Sequence, residues 1–207
     1  MPNAGRNPAG GEGPPHRVFL LSPANSSGKR AGFLFREGAA SALALRLRSA
    51  GASVGEVYTF MSGLYFRGKL AYARAFANPP GGCIGIHVIV PGLGLRDPDE
   101  LVDLEGLRTI AGVPVDPTDV RYAEPLRRDA AGLAERLHPG TTAILLGSLA
   151  TQKYLGPLRE VFGPRLRFPR EFIGIGDMSR GSLMLRCAAE GRELTYVDSL
   201  ERPAFVR

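Results

Sequence analysis

Cysteine, histidine and lysine are all scarce in this chain, and each scarcity excludes something. The two cysteines, Cys83 and Cys187, stand far apart with no CxxC. That excludes a disulfide framework and the common zinc and redox motifs. His16, His87 and His138 are scattered, with His87 inside an apolar run, so structural roles are expected and no metal site is predicted. No apolar stretch approaches the ~20 residues of a membrane-spanning helix. Residues 1–16 are rich in Gly, Pro, Ala and Asn and lack the apolar core of a secretory signal. They read as a disordered tail, and the expected location is the cytoplasm, with both thiols reduced. No G-x-S-x-G elbow is present, which disfavours a Ser/His/Asp hydrolase. Pro91-Gly92-Leu93-Gly94 is neither a Walker loop nor a GxGxxG fingerprint, so no cofactor is expected.

Lysine supplies only Lys29, Lys69 and Lys153 of the 26 basic residues, arginine the rest. The net charge of +6 favours an anionic partner such as DNA, RNA, a nucleotide or a membrane surface. The compositional bias of a GC-rich genome would give the same arginine excess without function. Each lysine falls at the end of a candidate strand or just inside the following helix. They are expected to face one anion-binding cleft.

A hydrophobic fraction of 44% is enough for a packed core. The length suggests one domain, over residues 17–200, followed by a tail over 201–207. Residues 17–22 and 141–146 are short continuous apolar runs, as is 83–90, and they read as strands covered on both faces. Residues 56–60 read as a further strand. Helical spacing appears at Ala40, Leu43, Ala44, Leu47 and Ala50, ended by Gly51. It recurs over 66–77 and 122–137, and Pro157 is expected to restart or kink a helix after residue 152. Asp97 before Pro98 reads as a helix N-cap, with a short helix and an irregular Pro-broken connection over 101–118. Residues 168–181 read as a loop, and 182–188 with 192–197 as two strands joined at Glu190-Gly191. The fold predicted is a three-layer α/β domain. It has a mixed or mostly parallel central sheet, helices on both faces and a C-terminal β-hairpin.

In open α/β sheets, ligands gather at the carboxyl ends of strands. The tips after residues 22, 90 and 146 are therefore expected to meet in one electropositive hollow. The first tip carries Asn25, Ser26, Ser27, Lys29 and Arg30. Asn25 offers amide donor and acceptor atoms to a water or a base edge, and the two serines suit phosphate. Tyr65, at the turn before a helix bearing Arg67, Lys69 and Arg74, suits base stacking. The bland reading of that helix, a core element with a solvated basic face, is preferred for the helix itself. Ser148 and Lys153 follow the third tip. Asp177 and Arg180 either pair structurally or serve as a polar group and a phosphate clamp. Asn25 and Asp177 are the candidate catalytic groups.

Three stretches together resemble the YaaA-type peroxide-stress family: LSPANSSGKR, EVYTFMSGLYFRGKLAYA and VIVPGLGLRDPDE, with GSLATQKYLGPL adding a later match. The resemblance covers roughly residues 18–160 and lies in the succession of motifs rather than in any one of them. Asn25 stands where members carry Lys after Ser-Pro-Ala. The resemblance implies a compact α/β fold, similar to that of uracil-DNA glycosylases and of a domain in archaeal tRNA-modifying proteins. It also implies a DNA-related role in damage protection. The expected function is a DNA-binding stress or repair protein that handles nucleobases, with N-glycosidic hydrolysis as its chemistry. The alternatives are a non-catalytic DNA-protective binder and an enzyme acting on a nucleotide or other phosphorylated small molecule. DNA is the expected partner, a membrane is not, and no oligomeric state is read.

Overall fold

The computed structural model describes residues 15–148 and 152–198. The tails expected over 1–16 and 201–207 lie outside the described residues, apart from Pro15 and His16. β1 (Arg17–Leu21) leads through α1 (Lys29–Phe35), α2 (Ala42–Arg48), the two-residue β2 (Ala52–Ser53), α3 (Val54–Ser62) and α4 (Leu64–Phe76) to β3 (Ile86–Val90). β4 (Gly94–Arg96), β5 (Leu101–Val102), α5 (Leu104–Ala111) and α6 (Val120–Arg136) follow, then β6 (Thr142–Leu146). α7 (Gln152–Phe162), β7 (Leu166–Pro169), α8 (Asp177–Glu190) and β8 (Tyr196–Asp198) close the described chain.

The main sheet has the order β4-β3-β1-β6-β7-β8. Its four inner strands run parallel, and β4 and β8 pair antiparallel at the two edges. β2 and β5 form a separate antiparallel pair. The inner strands are mostly apolar because helices cover both faces; Arg17, His87, Thr142 and Arg167 are the exceptions. Phe19 and Leu21 of β1, Val88 and Val90 of β3, and Ile144 and Leu146 of β6 pack against α1 to α5 and α8. Val18, Leu20, Ile89, Ala143 and Leu145 point the other way, against α6 and α7. The α/β three-layer architecture and the mostly parallel sheet read from the sequence are therefore present.

Several elements differ from expectation, each for an identifiable reason. Residues 56–60 are part of α3, not a strand. Ser53 Oγ accepts from Glu56 N as an N-cap, and Val57, Tyr58 and Met61 bury one helical face. Asp97 caps no helix. Its Oδ1 accepts from Asp99 N at 2.8 Å, closing an Asx turn. The cap of α5 is Asp103, whose Oδ1 accepts from Gly106 N at 2.7 Å. After β3 the chain reverses at Gly92 into β4. At Gly94, φ is +89° and an added Cβ would lie 2.3 Å from Asp129 Oδ2, so only glycine fits.

Residues 182–188 belong to α8, with Gly181, Met184 and Cys187 buried at a spacing of three. The antiparallel pair at the C-terminus exists, but β8's partner is β7, whose last two residues fall in the stretch that reads as a loop, and α8 lies between them. The helical stripe over Ala40 to Ala50 is realised as α2 beginning at Ala42, after a separate α1. α7 runs through Pro157 without restarting. A polar chain ties the C-terminal segment down. Leu194 N donates to Tyr72 Oη at 2.7 Å, Tyr72 Oη bonds Tyr196 Oη at 2.8 Å, and Glu193 pairs with Arg17 at the start of β1.

Candidate functional site

From β1 the chain crosses to β3 on one side using helices of one face. It then returns past β1 to β6 on the other side, by way of α6 on the opposite face. The strand order thus reverses between β1 and β6, and the crevice beyond their carboxyl ends is where open α/β sheets hold ligands. A cleft of about 760 Å³ opens there. The loop after β1 (Ser22 to Ser27), Tyr65 of α4, the connection 111–116, Ser148, Lys153 and Tyr154 at the start of α7, and Asp177 at the start of α8 all line it.

The approach of α4 to α8 decides which groups reach the cleft. A Cβ at Gly68 would lie 2.5 Å from Gly181 O, and one at Gly181 would lie 2.8 Å from Leu64 O. The two glycines let the helix backbones nearly touch, and this brings Tyr65 and Lys69 beside Asp177 and Arg180. On the opposite wall, Tyr122 Oη of α6 donates to Lys153 O at 3.0 Å and anchors the first turn of α7.

Seven of the twelve residues singled out from the sequence line this cleft: Asn25, Ser26, Ser27, Tyr65, Ser148, Lys153 and Asp177. The Asn25 side chain is partly committed. Its Oδ1 accepts from Ser27 N at 3.1 Å and from Ser27 Oγ at 2.9 Å, which leaves the Nδ2 donors for a ligand. Tyr65 is buried and makes no well-formed hydrogen bond through its hydroxyl. Burial pushes its pKa up to about 12; Asp177 adds to the rise and Arg180 opposes it. Burial likewise raises Tyr154, with Asp177 again contributing.

The expectation of three lysines in one cleft fails. Lys153 lines it, but Lys29 is exposed on α1 outside the lining, and Lys69 is 1% exposed beneath the floor. Lys69 Nζ donates to Ser22 O at 2.8 Å and to Ser22 Oγ at 3.0 Å, and it stands 4.3 Å from the Tyr65 ring centroid. Burial lowers its pKa to about 7, against the pull of Asp177. Arg30 reaches away to Phe60 O, and Arg67 is exposed on α4. Arg180 is engaged as in the structural reading. Nε and Nη2 donate to Phe172 O at 3.2 and 3.0 Å, and Nη1 pairs with Asp177 at 3.2 Å. The tip after β3 is not part of the lining either; Gly92 packs against Val113 instead.

Four polar lining groups escaped the sequence reading: Ser22, Ser62, Tyr154 and Asp116. Ser22 sits directly before Pro23 at the strand end, which is the one local signal it had. Asp116 lies in the Pro-broken connection, where Thr118 N and Oγ1 donate to its Oδ1 at 2.9 and 2.7 Å. Those bonds hold its carboxyl below the usual range, and Lys153 lowers it further. Among the described residues no three His, Cys, Asp or Glu side chains converge to hold a metal ion, and no helix is long and apolar enough to cross a membrane. The chain matches no family model, no curated protein and no solved structure.

Proposed function

We propose that this cleft receives a nucleobase with its sugar and phosphate, presented by DNA, and hydrolyses the N-glycosidic bond. The observation that carries the reading is the lining itself. At the β1–β6 switch point, a cleft large enough for a nucleotide sets the Tyr65 and Tyr154 rings, the Asn25 amide and a carboxylate, Asp177, around one space. The rings provide stacking surfaces, and Asn25 Nδ2 provides donors for a base edge. Asp177, in the first turn of α8, is the general base that the first loop lacks. It takes a proton from the attacking water, the hydroxyl joins C1′ as the C1′–N bond breaks, and the base leaves with the electron pair and takes up a proton from solvent. Lys153 on the rim, with Lys29 and Arg30 exposed just after the lining loop and Arg67 exposed on α4, suits the backbone phosphates. The resemblance to YaaA-type proteins points the same way, toward DNA protection from damage.

A second reading, a binder without catalysis, draws support from the Asp177–Arg180 pair and from the engagement of Asn25 Oδ1 within its own loop. The test is base release from duplex and single-stranded oligonucleotides carrying deaminated or alkylated bases, alongside binding by fluorescence anisotropy. Release that disappears in Asp177→Asn while binding persists supports hydrolysis. Binding without release on any substrate leaves the binder. No binding to either strand form sinks both.

A further inference from the structure

The geometry points to Ser22 as a nucleophile for acyl transfer, with the Lys69 amine as its general base. Ser22 belongs to the cleft wall, and its hydroxyl is 3.0 Å from Lys69 Nζ. The pair lies at the carboxyl end of β1, at the bottom of the cleft. Nothing in the glycosidic reading uses it, and it stands whether or not a nucleobase binds above it.

Three features of the surroundings suit a nucleophile–base pair. First, Lys69 is held in one position. Ser22 O accepts one N–H, and the Tyr65 and Phe66 rings lie 4.3 and 5.0 Å away. A neutral amine so placed keeps one N–H on the carbonyl, and its lone pair accepts the Ser22 hydroxyl proton. Second, Gly147, beside the hydroxyl, brings no side chain against it. A Cβ there would stand 3.2 Å from Ser22 Oγ. Third, the loop holds unused donors. The backbone N–H groups of Ala24, Asn25 and Ser26 have no acceptor among the described residues, whereas Ser27 N is spent on Asn25 Oδ1. An oxyanion formed on a bound carbonyl needs such donors.

The charged and titratable groups around Lys69 come from three elements. α4 contributes Tyr65, α8 contributes Asp177 with Arg180 paired to it, and the β1 loop contributes Ser22. Asp177 favours the ammonium and burial favours the amine, and burial prevails. The substrate class is an ester or an activated amide. Ser22 Oγ bonds to the acyl carbon as its proton moves to Lys69 Nζ. The alcohol or amine leaves with that proton. Water, deprotonated by the same amine, then releases the acid and restores the serine.

The test treats the full chain with a fluorophosphonate, which forms a P–O bond to an activated serine and loses fluoride. The expected result is a single adduct, located on Ser22 by peptide mass spectrometry. Its rate should rise about tenfold from pH 6 to pH 8, as deprotonation of one group near pH 7 requires. Ser22→Ala, checked as folded by circular dichroism, should take no label. Lys69→Met should react at least about a hundredfold more slowly, a loss in the upper part of the range for a general base. If Lys69→Met does not fold, Asp177→Asn decides: its profile must move to lower pH, because the carboxylate that favours the ammonium is gone. Label on another serine, no label on folded protein, or a profile unmoved in Asp177→Asn overturns the proposal. The glycosidic reading is tested separately, since base release depends on Asp177 and needs no adduct at Ser22.

Discussion

Lys69 places a strongly hydrated ammonium among core residues, where an ionised group is costly unless its donors are met. Two of its donors meet Ser22 and its face meets two rings, yet burial still pulls the pKa to about 7. The sign for stability follows from proton counts. Between about pH 7 and the unfolded value near 10.4, the unfolded chain binds a proton that the folded chain does not. Stability should therefore rise with pH across that window, by about 1.4 kcal/mol per unit from this group alone. Near pH 10 the rise should end. Tyr58, Tyr65 and Tyr72 are held protonated by burial in the fold, whereas unfolded tyrosines begin to ionise there. Urea denaturation at pH 7 and pH 9 checks this. Wild type should gain about 2–3 kcal/mol; Lys69→Met should lose that gain. An equal gain in both would place the Lys69 titration elsewhere. None of this was legible from the residue type. A lysine at a helix start looks like a cleft cation, and only the packing of α4 on β1 turns it inward.

Among the elements, the α4–α8 crossing does most to build the site, and it rests on two glycines that look unremarkable in sequence. An alanine at Gly68 would gain helix propensity of about 1 kcal/mol. Its methyl would meet backbone at 2.5 Å, so the helices must separate. Overpacking of this kind costs about 1–3 kcal/mol, and here the obstacle is rigid main chain. Gly68→Ala should therefore destabilise by about 1–2 kcal/mol net. It should also weaken any ligand bound between Tyr65 and Asp177. Gly132→Ala in α6, where an added methyl would meet only the Arg136 guanidinium at 3.6 Å, should stabilise by up to about 1 kcal/mol. Thermal melts of the two variants against wild type check both signs at once.

The same crossing explains the clearest misreading. Ser182 to Ala188 is a short apolar-rich run that suits a strand or a buried helix equally. The choice is made by Gly181, Met184 and Cys187 all facing α4, which no local pattern displays. Val57, Tyr58 and Thr59 have strand-like side chains, but the Ser53 cap and the burial of Met61 one turn on make a helix.

For the whole molecule, the parallel core was legible because strands buried on both faces are largely apolar, and 17–22, 83–90 and 141–146 are, with Arg17, Ser22, His87, Thr141 and Thr142 as the polar positions. The position of the cleft followed from the same fact, since the first and third tips lie beside each other once β1 pairs with β6. What sequence could not show is how much of the +6 charge is available. Many arginines are already paired on the surface: Arg74 with Asp99, Arg121 with Asp119, Arg127 with Glu160 and Arg192 with Glu190. The cations free to meet phosphates near the cleft narrow to Lys29, Arg30, Arg67 and Lys153, which form no ion pair among the described residues.

Each phosphate neutralised on duplex DNA contributes a slope of roughly −0.9 to log K against log salt. If these four side chains make the backbone contacts, the slope should be about −3 to −4, far shallower than contact by all 26 basic residues would give. Lys153→Ala should remove about one unit of slope and weaken binding equally on all sequences. Arg127→Ala, in the α6–α7 ion pair and outside the cleft lining, should leave the slope where it was. Anisotropy titrations at several salt concentrations measure all three. A slope near zero in wild type would turn the reading from DNA to a small phosphorylated ligand. A slope lost in Arg127→Ala and kept in Lys153→Ala would move the DNA to the α6–α7 face.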